Sequence, residues 1–71
     1  MITVEIKSEP AELYKILKFE GLVASGGEAK SVIAEGYVLL NGKIETQKRK
    51  KIYAGDIIEF NDNQLIIQLK K

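Results

Sequence analysis

The sequence contains neither cysteine nor histidine among its 71 residues. A domain of this size is near the lower limit at which an apolar core alone maintains a fold, and smaller domains usually add disulfides or a structural metal. The lack of thiols and imidazoles excludes a disulfide and the usual zinc sites, and we expect no metal and no cofactor. The fold must therefore depend on the pattern of the apolar residues, which make up 45% of the chain.

The first part of the chain predicts a strand followed by a helix. Residues 2–7 alternate apolar and polar side chains, as in a strand that is buried on one face. Ser8-Glu9-Pro10 is typical of the beginning of a helix, with Ser8 as the capping residue and Pro10 in the first turn. Apolar residues at helical spacing follow from Leu13, and Gly21 is the predicted end of this helix.

A second helix is indicated by a capping box. Ser25 precedes Glu28 by three positions, so that each side chain can accept a hydrogen bond from the free backbone N–H of the other residue. The helix directs Ala29 and Ile33 toward the core and ends at Gly36. Because few residues separate the two helices, we expect a compact helical pair.

The second half of the chain predicts antiparallel strands. Asn41-Gly42, between two strand-like segments, is the strongest short-range signal for a hairpin, with a type I′ turn in which both residues have positive φ. A polar, basic segment from Thr46 to Lys51, here called the basic link, leads to strands over 57–60 and 65–70 that are joined by a turn at 61–63. The order of strand, two helices and several antiparallel strands predicts an α+β domain.

Positive charge is concentrated in one segment. From Lys43 to Lys51 there are five basic residues and one acidic residue, a net charge of +4, whereas the remaining six basic and nine acidic residues give −3. Clustered positive charge on an otherwise acidic chain is typical of a surface that binds phosphates, and it favours contact of Lys48, Arg49 and Lys50 with RNA or DNA. The alternative is a solvated segment that serves only solubility.

Two further features are candidates for binding. In the segment 25–30, two glycines would let a phosphate approach the N–H groups of the helix start, with Lys30 one turn further on. The alternative is that this segment is a purely structural helix cap. Tyr14 and Tyr37 lie at positions where an exposed ring would offer a stacking surface for an unpaired base. Core packing is favoured for the other aromatic residues, which are Phe19, Tyr53 and Phe60.

The sequence does not favour an enzyme. It has no Cys–His pair for nucleophilic catalysis and no glycine-rich phosphate loop that ends in Lys-Ser or Lys-Thr. The acidic residues are scattered along the chain, which is typical of charges on helix surfaces and in helix caps. A paired-carboxylate site would need a cleft that so small a domain rarely provides.

The segment from Leu13 to Glu59 resembles the alpha-L RNA-binding domain, first known from ribosomal small-subunit protein four. The matching pieces are Leu13-x-x-x-Leu17, Leu22-Val23-Ala24-Ser25, Ala29-x-x-x-Ile33-x-x-Gly36, Val38-x-Leu40-Asn41-Gly42-Lys43 and Ala54-Gly55-Asp56-Ile57-Ile58. They follow one another in the family's order over about two-thirds of the chain, and the series is specific as a set. The pattern is more similar still to the stand-alone bacterial members, the YaaA/YbcJ-like proteins.

This resemblance implies a single α+β RNA-binding domain over residues 1–71, with the family-like core over 13–59. It places the RNA-binding surface at the start of the second helix, on the hairpin and along the basic link. The implied contact residues are Ser25, Gly26, Gly27, Lys30, Asn41, Lys43, Lys48, Arg49, Lys50 and Lys51. Many alpha-L domains carry an Arg where this chain has Gly26, which shifts the expected contribution toward the basic link.

The expected partner is structured RNA, ribosomal or transfer RNA, bound in the bacterial cytoplasm without catalysis and compatible with association with the ribosome. No membrane partner is expected, because no apolar segment approaches the roughly 20 residues that a spanning helix needs. The chief alternative is a protein-interaction module whose basic link holds an acidic partner.

Overall fold

The computed structural model describes residues 1–70, which form seven strands and two helices. The helices are α1 (Leu13–Phe19) and α2 (Gly26–Ala34). The strands are β1 (Ile2–Ile6), β2 (Ala11–Glu12), β3 (Val38–Leu40), β4 (Lys43–Ile44), β5 (Lys51–Ile52), β6 (Ile57–Phe60) and β7 (Asn63–Leu69). A five-stranded sheet has the order β1-β7-β6-β3-β4, and β2 pairs with β5 in a separate two-stranded sheet. The predicted α+β class, with a helical pair between the first strand and the later antiparallel strands, is confirmed.

The first strand joins the sheet through the last one. β1 runs parallel to β7, with Val4 opposite Ile67, whereas all other strand pairs are antiparallel. A parallel pair requires a long crossover connection, and here the crossover contains both helices. The sheet is therefore mixed, a feature that the strand patterns by themselves did not specify.

The core lies between the two helices and one face of the five-stranded sheet. Apolar side chains of alternate strand residues are fully buried at Val38, Ile58 and Leu65, and they meet Leu17 of α1 and Ile33 of α2. Alternation in the strands and helical spacing in α1 and α2 thus bring one face of each element to a common interior. The core consists of aliphatic residues throughout.

The beginning of α1 differs from the prediction. Ser8 does not cap a helix, because the chain pairs at β2 with β5, and α1 begins only at Leu13, with Glu12 as the N-cap residue. The N–H groups of the first turn, which a side-chain cap would otherwise satisfy, bond instead to main-chain carbonyls of the basic link. The predicted start at Ser8 is therefore wrong, since pairing between distant segments outweighs a local capping signal.

The other helix termini follow the local signals. The Ser25 hydroxyl accepts a hydrogen bond from the Glu28 N–H at 3.1 Å, and the Glu28 carboxylate accepts one from the Ala24 N–H. The glycines after the two helices, Gly21 and Gly36, have φ of +70° and +85°, a region that suits glycine and ends a helix with a left-handed residue. The Ser25 cap and both helix ends are confirmed, whereas the Glu28 carboxylate bonds to the N–H of Ala24 instead of the predicted N–H of Ser25.

Replacing Ser25 with alanine is expected to lower the free energy of unfolding by roughly 1 kcal/mol, because the Glu28 N–H loses its partner at the helix start. Urea denaturation monitored by circular dichroism measures this change. Ser31→Ala is the matched control, since Ser31 is also exposed and lies inside α2. Equal denaturation midpoints for the Ser25→Ala variant and the parent would contradict a stabilising cap.

The β3–β4 hairpin turns as predicted. Asn41 and Gly42 have φ of +52° and +85°, so both take the positive values that a type I′ turn requires. A second pair of positive φ values, at Asn61 and Asp62, forms the turn between β6 and β7. The basic link leaves β4 and ends in β5, where Lys51 lies opposite Glu12.

Candidate nucleic-acid interface

The basic link is held against the start of α1 by its main chain. The Leu13 N–H donates to the Lys50 carbonyl at 3.0 Å, and the Tyr14 N–H donates to the Lys48 carbonyl at 3.2 Å. Within the link, the Lys50 N–H donates to the Gln47 carbonyl at 3.2 Å and closes a tight turn. The side chains of Lys48 and Arg49 are exposed, but these hydrogen bonds fix the position of the backbone that carries them.

The ring of Tyr14 brings three cationic side chains together. The Lys30 Nζ lies 4.7 Å from the ring centroid, the Arg49 Cζ 5.9 Å and the Lys15 Nζ 6.0 Å. At these distances a cation is attracted by the electron density of an aromatic ring. We call these four residues the Tyr14 cluster; it joins α1, α2 and the basic link, which are separate segments of the sequence.

One carboxylate lies beside the cluster. One oxygen of the Glu12 carboxylate lies 3.1 Å from the Lys15 Nζ, and the other oxygen lies 3.9 Å from the Arg49 Nε. Its hydrogen bond to Lys15, together with its negative charge, raises the pKa of the Lys15 ammonium. Because Lys15 and Arg49 are mostly exposed, these ion pairs orient the side chains more than they stabilise the fold.

The start of α2 faces the same ring. A Cβ placed on Gly26 would lie 3.9 Å from Tyr14 ring carbons, an ordinary contact distance, so the backbone of this residue runs alongside the ring. Within residues 1–70 the N–H groups of Gly26 and Gly27 have no hydrogen-bond partner, as is usual in the first turn of a helix. Ser25, by contrast, uses its hydroxyl for the Glu28 N–H.

Two of the implied contact residues lie apart from this cluster. The Asn41 side chain donates to the Asp56 carboxylate at 3.0 Å and accepts from the Ile57 N–H at 2.9 Å, so both ends of the amide are used within the fold. Lys43 begins β4, the outer strand of the sheet, and its side chain is exposed. Within the described chain, no hydrogen bond or ion pair joins Lys43 to the Tyr14 cluster.

Of the ten implied residues, the structure thus brings Gly26, Lys30 and Arg49 together around one ring, with Ser25, Gly27, Lys48, Lys50 and Lys51 adjoining them along the chain. The sequence did not identify Glu12 or Lys15 as part of this surface. The signal available for Lys15 was its place next to Tyr14 on the outer side of α1. The ring's role in joining three segments had no sequence signal, because it depends on contacts between distant residues.

The prediction for the aromatic residues needs correction. Phe19, assigned to the core, is 87% exposed, and Tyr53 is about half exposed, because aliphatic residues fill the interior without them. Phe60 is half-buried and packs against the edge of the core, which agrees with its assignment. Tyr37 is 64% exposed, as its position suggested, and Tyr14 is half-buried.

Two other kinds of structural feature are absent from residues 1–70. No group of three or more acidic, histidine or cysteine side chains is arranged to hold a metal ion. Neither helix is long and apolar enough to cross a membrane.

Comparison with known proteins identifies relatives over most of the chain. YbcJ of Escherichia coli (strain K12), named as a candidate RNA-binding protein, is 46% identical over 61 residues, covering 84% of this chain and 87% of YbcJ. RlbA of Bacillus subtilis (strain 168), named as a probable ribosome maturation protein, is 34% identical over 56 residues, or 79% of each chain. These names describe no catalytic activity.

The fold has a solved counterpart, and a family model covers nearly the whole chain. The solution structure of YbcJ from E. coli, described as revealing an alfaL motif involved in RNA binding, superposes with a TM-score of 0.73 at 40% identity, covering 96% of this chain and 87% of YbcJ. The model of the S4 domain matches residues 4–68. The resemblance to the alpha-L domain and to its YbcJ-like members is therefore confirmed, and the chain belongs to the S4 domain family.

Proposed function

We propose that this chain binds structured RNA, ribosomal or transfer RNA, in the bacterial cytoplasm and catalyses no reaction. The observation that carries this proposal is the convergence of Lys15, Lys30 and Arg49 on the ring of Tyr14, next to the first turn of α2. Three segments that are separate in the sequence thereby present their cations on one surface. A partner with regularly spaced negative charges is the chemistry that such a surface fits.

RNA helices suit the chemistry of this surface. The major groove of A-form RNA is too narrow for side chains to read, so proteins recognise the helix through its shape, its phosphates and its 2′-hydroxyl groups. Lys48, Arg49, Lys50 and Lys51 supply the charge for phosphate contacts, and the free N–H groups of Gly26 and Gly27 supply donors beside Lys30. The surface has no arrangement that favours one base sequence.

The relatives support the choice of RNA and of ribosomal RNA in particular. YbcJ carries the name of a candidate RNA-binding protein, and RlbA that of a probable ribosome maturation protein. Since both are similar to this chain over most of its length, the same class of partner is the natural one. Among the implied contacts, Lys43 stays a proposed contact on the edge strand β4, apart from the Tyr14 cluster, whereas we assign Asn41 to the fold because its amide is already bonded.

The proposal is tested by titrating fluorescently labelled structured RNA with the parent protein at several salt concentrations. The logarithm of the association constant is expected to fall linearly with the logarithm of salt concentration, by about 0.7 to 0.9 per phosphate contact. Pull-down from a bacterial lysate, with and without nuclease, provides the comparison with a protein partner. Weak binding of every RNA, combined with nuclease-resistant capture of an acidic protein, would replace this proposal with the protein-interaction alternative.

A further inference from the structure

Phe19 is a large apolar side chain that the fold leaves in solvent. It is the last residue of α1 and is 87% exposed, whereas Ile16 and Leu17 of the same helix are buried. Lys15 lies one turn before Phe19, and Lys18 directly precedes it, so that the outer side of α1 combines an aromatic ring with two cations. The core gains nothing from this ring, which is therefore free to contact a partner outside the chain.

A groove extends from Phe19 to the start of α2. Its volume is about 520 Å³, within the range of roughly 300–1,000 Å³ typical of ligand sites, and Tyr14, Lys15, Lys18, Phe19 and Gly26 line it. None of these residues is acidic, and two are lysines. Tyr14 and Gly26 also belong to the surface described above, so the groove is continuous with the proposed RNA interface.

We propose that this groove binds one unpaired nucleotide of the RNA, with the ring of Phe19 stacked on the base and Lys15 and Lys18 next to its phosphates. Aromatic rings are the usual platform for unstacked bases, and the lysines provide complementary charge. Phe19 is better suited to stacking than Tyr14, because the Tyr14 ring already has Lys30 over it at 4.7 Å. This inference rests on the proposed function and adds a preference for RNA in which a helix adjoins an unpaired base.

The test uses two RNAs with the same stem, one fully paired and one with a single bulged 2-aminopurine. Phe19→Ala is expected to weaken binding of the bulged RNA by roughly 5- to 150-fold, the loss typical of one base–aromatic stack, and to leave binding of the paired stem unchanged. Phe19→Trp should retain the preference for the bulge. With the parent, stacking should also change the 2-aminopurine fluorescence, and this change should be absent with Phe19→Ala.

Tyr53→Ala is the matched control, because Tyr53 is also an exposed ring, at 48%, and does not line the groove. It should leave the affinity for both RNAs unchanged. Thermal melts of the variants should match that of the parent, since neither ring is part of the buried core.

Three results would overturn the inference. Equal affinities of the Phe19→Ala variant and the parent for the bulged RNA would exclude stacking, and equal losses on both RNAs would exclude a nucleotide-specific groove. Sedimentation showing a parent dimer that becomes a monomer on Phe19→Ala would assign the ring to contact with a second copy. Failure of the parent to bind either RNA would instead remove the proposed function itself, so the two failures are distinguishable.

Discussion

Replacing Lys48, Arg49 and Lys50 together with alanine is expected to reduce the slope of log affinity for RNA against log salt concentration by roughly two to three units. Each phosphate contact releases condensed counterions, worth about 0.7 of slope on single strands and 0.9 on a B-form duplex, and three contacts are removed. Affinity at low salt should fall accordingly. Filter binding or fluorescence anisotropy at several salt concentrations measures both quantities.

Stability should change little in this triple variant. The hydrogen bonds that hold the basic link to α1 come from the main-chain carbonyls of Lys48 and Lys50, which alanine retains, and the Arg49–Glu12 ion pair is long and exposed. A Lys7→Glu/Lys70→Ala variant is the control for net charge, since it lowers the charge by the same three units at lysines that follow the neighbouring strands β1 and β7. If the triple variant is folded and its salt slope equals that of the parent, the basic link makes no phosphate contacts.

Replacing Asn41 with alanine is expected to lower the free energy of unfolding by roughly 2 kcal/mol and to leave the RNA affinity of the folded molecule unchanged. The Asn41 amide forms two hydrogen bonds, to Asp56 and to the Ile57 N–H, each worth about 0.5–1.5 kcal/mol. Asn also tolerates the left-handed conformation, here φ +52°, better than alanine does. Urea denaturation and RNA titration of the same preparation separate the two effects.

The Asn61→Ala variant distinguishes the contribution of side-chain hydrogen bonds to stability from that of the left-handed backbone conformation. Asn61 occupies the β6–β7 turn with φ +56°, and its side chain forms no hydrogen bond within residues 1–70. The Asn61→Ala variant should therefore lower the free energy of unfolding only through the backbone conformation, and by less than Asn41→Ala does. An Asn41→Ala variant that is as stable as the parent but binds RNA more weakly would assign Asn41 to the interface.

The features that the sequence predicted correctly are those encoded by neighbouring residues. The Ser25 cap on the Glu28 N–H, the end of α2 at Gly36 and the Asn41-Gly42 turn each depend on hydrogen bonds or φ values within a few positions. Such signals are readable because the residues that form the structure are also adjacent in the sequence.

The features that were missed depend on contacts between distant segments. Ser8 is a residue type that often caps helices, but β2 pairs with β5 just after it. The helix therefore begins only at Leu13. In the same way, charge counting singled out Arg49 and local context singled out Lys30, but no spacing indicated that both would meet at Tyr14. Local composition identified the charged segments of the candidate site, and only the folded backbone shows which of them are neighbours.

The parallel pairing of β1 with β7 has a consequence for the order in which the molecule assembles. β7 lies between β1 and β6, so β1 has no place in the sheet until the last strand has formed. Closing a loop that contains nearly the whole chain is an entropically costly, non-local step, and contacts of this kind slow folding. During synthesis on the ribosome, β1 emerges before β7 and must wait for it, while the helical pair and the β3–β4 hairpin can form from residues already available.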